Sequence, residues 1–73
     1  MMRDVCTYYI ELRGQVSAGE INAAGPLQVE VTQVKPSSTR LALSTDQSGL
    51  VGLVSYLHGL GFVILSLKRV ENS

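Results

Sequence analysis

A single cysteine, Cys6, rules out an intramolecular disulfide and a cysteine-based zinc cluster in this chain. It opens a strand-like stretch and reads as a small buried hydrophobe. Charge is scarce too: charged residues make up 16% of the 73 positions, against about 25% in ordinary globular domains. With 45% hydrophobic residues the chain is a folding one. Six basic and six acidic side chains cancel, and Lys68-Arg69 is the one adjacent basic pair. Nucleic-acid binders usually carry a basic stripe; none is visible, so no nucleic-acid partner is expected.

The groups that carry catalysis are equally sparse. His58 is the one histidine, and a general base needs an orienting carboxylate and a reacting group beside it. Glu11, Glu20, Glu30 and Asp46 show no paired spacing suited to hydrolysis, and no GxxxxGK phosphate loop occurs. His58 with Cys6, far apart in sequence, is a poor metal-ligand set. These absences predict a protein that is not an enzyme and holds no cofactor or metal. The start, MMRDVCTYY, has no apolar run of signal-peptide type, so a cytoplasmic location is expected.

Residues 49–67, GLVGLVSYLHGLGFVILSL, approach the length of a membrane span. The HGLG step divides them into a helix-like half with two unlike faces and a β-branched half. A soluble domain without membrane contact is therefore expected.

Residues 7–13, TYYIELR, alternate, with Tyr8, Ile10 and Leu12 on one side. Residues 16–26 hold a short helix: Ser17 and Glu20 form a capping box, Val16 and Ile21 a hydrophobic staple, and Gly25-Pro26 a stop. Residues 27–34 alternate again, with Leu27, Val29 and Val31 inward. KPSS at 35–38 is a turn, and residues 39–44 form the next strand, with Leu41 and Leu43 inward. Asp46 then caps a long helix whose apolar face is Leu50, Leu53, Val54, Leu57 and Leu60. Gly61 ends it. Residues 62–70 make the last strand, whose apolar first half, Phe62 to Leu65, is expected to be covered on both faces.

The order strand, helix, strand, strand, helix, strand predicts a single α+β domain of ferredoxin-like βαββαβ type. A four-stranded antiparallel sheet would carry the helices on one face, the first helix being very short. Residues 1–6 and 71–73 are expected to be flexible tails. The helix-free face would show Tyr9, Glu11, Arg13, Glu30, Arg40, Ala42, Ile64 and Lys68. Only Tyr9 there could stack on a base, and a cross-strand pair is the simpler use of it.

The long helix has an unusual outer side. Opposite its leucines lie Ser48, Gly52, Ser55 and Gly59, flanked by Val51 and Tyr56. Each mid-helix glycine costs up to about 1 kcal/mol relative to alanine, and an exposed helix face normally carries Lys, Glu or Arg. Small residues let a second backbone approach closely. A domain this small buries only about 60–65% of its unfolded surface, so association would add stability. These features predict a homodimer or other homo-oligomer through Ser48, Val51, Gly52, Ser55, Tyr56 and Gly59.

Residues 41–67 resemble ACT domains, small ferredoxin-like modules that sense amino acids. Asp46, Gly49 and Leu50 match the Asp-x-x-Gly-Leu that opens a helix in that family, and Gly61 matches the turn that follows. The match falls in the second half of this chain, where the family has it in the first. The resemblance implies dimerisation and a small-molecule effector near Thr45, Asp46 and Gly49. The whole chain is similar to a group of small bacterial proteins of uncharacterised activity, on Tyr8-x-Ile10-x-x-x-Gly14 at its start and Ile64-Leu65-Ser66-Leu67 at its end. That similarity implies the same fold and no particular activity.

Overall fold

The computed structural model describes residues 5–70. The elements follow the order β1 (Cys6–Arg13), α1 (Ala18–Asn22), β2 (Glu30–Val34), β3 (Ser38–Thr45), α2 (Gln47–Gly59) and β4 (Ile64–Val70). The four strands form one antiparallel sheet in the order β2-β3-β1-β4. The fold class is thus α+β, with two helices on an open sheet. Among the described residues, no helix is long and apolar enough to cross a membrane. Of the tails expected at 1–6 and 71–73, residues 1–4 and 71–73 lie outside the described residues. Cys6 is already part of β1, opposite Thr45, and is half-buried against the core.

Alternation on the central strands builds the core. Tyr8, Ile10 and Leu12 of β1 and Leu41 and Leu43 of β3 are buried on one face. They share one cluster with Leu50, Leu53 and Leu57 of α2 and Ile21 of α1. Burial of each such side chain is worth roughly 1.5–3 kcal/mol. The capping box on α1 has both of its bonds: Glu20 N–H donates to Ser17 Oγ at 3.3 Å, and Ser17 N–H donates to the Glu20 carboxylate at 3.2 Å. The two staple residues, Val16 and Ile21, are both buried.

Several sequence expectations change. The second strand begins at Glu30 rather than residue 27, because Asn22 holds the backbone of Val29 in both directions. Val29 N–H donates to Asn22 Oδ1 at 2.8 Å, and Asn22 Nδ2 donates to the Val29 carbonyl at 3.0 Å. Leu60 is the C-cap of α2 and is exposed rather than part of the apolar face. The last strand begins at Ile64, and its first half is not covered on both faces: β4 is an edge strand, and Val63 and Leu65 are exposed. A bulge near Leu65 also puts Ile64 opposite the buried Leu12. Ile64 therefore packs against the core and not on the open face.

Thr39 is fully buried, and its hydroxyl joins the loop after β1 to β3. It donates to the Gly14 carbonyl at 2.8 Å and accepts from Val16 N–H at 3.0 Å. Gly14 itself has φ +86°, which favours glycine at the start of that loop. Thr39→Val keeps the shape and removes both bonds. Leaving the buried Val16 N–H and the half-buried Gly14 carbonyl without this partner should cost about 1–3 kcal/mol, whereas Thr39→Ser should cost only about 1 kcal/mol for its lost methyl. Urea unfolding of the two variants checks this ordering.

Candidate functional site

The second helix owes its position to chemistry at its two ends. At its start, the Asp46 carboxylate accepts from Gly49 N–H at 2.8 Å, the expected N-cap bond. At its end, Phe62 N–H reaches the Leu57 carbonyl at 3.1 Å and Gly61 N–H reaches that of His58 at 3.0 Å. Gly61 has φ +89°. This is a Schellman motif, closed by a residue that tolerates the left-handed conformation. Between the two ends, Leu50, Leu53 and Leu57 turn one side into the core.

The opposite side stands in the open. Ser48, Val51, Gly52, Ser55 and Gly59 are all exposed, Val51 at 62%. Tyr56 departs from this group. It turns toward α1 and is half-buried, its hydroxyl donating to the Ile21 carbonyl at 3.2 Å. His58 is exposed on the other flank, beside a groove formed with Val54, Phe62, Val63 and Ile64. Among the described residues no group of three or more His, Cys, Asp or Glu side chains is gathered as a metal site.

The glycines divide by cause. A Cβ on Gly49 would collide with Thr45 Oγ1 and lie 3.3 Å from Asp46 Oδ1. A Cβ on Gly25 would lie 2.5 Å from the Ile21 carbonyl oxygen. Gly52 and Gly59, by contrast, have nothing within 4 Å of where a Cβ would stand. Nothing inside the fold requires glycine at those two helix positions.

The structure thus brings Thr45, Asp46 and Gly49 together at the start of α2, but packs them on one another. Thr45 is buried, and the Asp46 carboxylate is engaged by the Gly49 amide. They border a shallow, open depression whose other walls are Val5, Leu27, Ser44 and Ser48.

The open sheet face is largely satisfied by its own side chains. The Arg40 guanidinium lies over the Tyr9 ring, 5.3 Å from its centroid, and Arg40 Nη2 donates to Gln33 at 3.0 Å. Ser38 Oγ donates to the Glu11 carboxylate at 3.1 Å, and Lys35 lies 3.7 Å from the same group. The aromatic surface that a base would need is thus taken by an arginine.

A surface that the residue pattern did not reveal lies on β4 and the turn before it. Leu60, Val63, Leu65 and Leu67 are exposed on and around β4. The alternation at Leu65-Ser66-Leu67 reads as an ordinary strand, and only the strand order shows it to be an edge. No protein-family model matches the chain, nor does any curated protein or solved structure.

The division of the glycines has a measurable consequence. Gly49→Ala should destabilise by about 1–3 kcal/mol through overpacking on Thr45. Gly52→Ala should stabilise the isolated subunit by up to about 1 kcal/mol, since alanine is the better helix former. Urea unfolding at low protein concentration, where association does not contribute, compares them.

Proposed function

We propose that this protein is a small non-enzymatic interaction or regulatory module of ferredoxin-like type that acts through self-association, with the outer face of α2 as a contact surface. The observation that carries the reading is the pair Gly52 and Gly59, helical and exposed, with open space where a side chain would stand. Each forgoes up to about 1 kcal/mol of helix stability, and close approach of a second helix supplies a reason for them. The surrounding Ser48, Val51 and Ser55 add no charge that would oppose that approach. The element order and the strand order β2-β3-β1-β4 support the ferredoxin-like architecture with a stunted first helix. A homodimer is the simplest assembly.

Gly52→Glu puts a charge into that contact. The expected outcome is a shift from dimer to monomer in solution mass at micromolar concentration, with an unchanged far-ultraviolet circular dichroism spectrum. An unshifted mass would remove α2 from the interface.

A second reading is an ACT-like module that binds an amino-acid effector beside Thr45, Asp46 and Gly49. The depression there favours it, since Ser44 and Ser48 border it and are exposed. Thermal unfolding in the presence of each amino acid tests this reading. A true effector at 100 times its dissociation constant should add about 2.7 kcal/mol, and a panel with no shift would eliminate the reading.

A further inference from the structure

We draw no further inference here: the strongest candidate, the apolar groove between the second half of α2 and the start of β4 walled by Val54, His58, Phe62, Val63 and Ile64, carries none because nothing in the structure shows what covers it.

Discussion

Burial of Leu50, Leu53 and Leu57 against the apolar face of β1 and β3 is the contact on which the rest of this small domain depends. The first helix has only five residues, too few to be stable without packing. The second helix therefore carries most of the helical cover, and its two ends are secured accordingly. Asp46 engages the Gly49 amide at one end, and the Gly61 turn closes the other. Because the leucines fix the rotation of α2, they also decide which side chains face outward. The exposed serine and glycine side follows from the buried leucine side.

The same contact leaves part of the sheet bare. Ile10 is fully buried, yet its cross-strand neighbour Leu67 on the same face stays half-exposed. Cover over β1 and β3 does not extend fully to the edge strand. In a larger domain a longer first helix or a further strand would take up this surface. Here the surplus apolar area sits on β4 and on the turn before it, beside a helix face that carries no charge. Both features suit a chain whose own core is marginal for its length.

Much of the fold was legible from local chemistry. The capping box at Ser17 and Glu20, the Asp46 cap, the Gly61 stop and the inward sets Tyr8-Ile10-Leu12 and Leu41-Leu43 all stand in the structure as read. The candidate contact residues were legible in part. Ser48, Val51, Gly52, Ser55 and Gly59 share an exposed side because a helix repeats every 3.6 residues. Tyr56 sits at the margin of that side on the helical repeat, and its hydroxyl was drawn inward by the Ile21 carbonyl on another helix.

What the sequence by itself determined was therefore whatever one turn or one strand decides: caps, stops, periodicity and the rotation of α2. The tertiary structure alone decided which strand lies at the edge, where the bulge turns Ile64 inward, and that Asn22 takes the backbone of Val29 from the second strand. It also separated the glycines that meet a neighbour from those that meet open space. The physical reason is range: a cap or a period is set by atoms within about four residues, whereas an edge, a register shift and a void depend on groups brought together from distant parts of the chain.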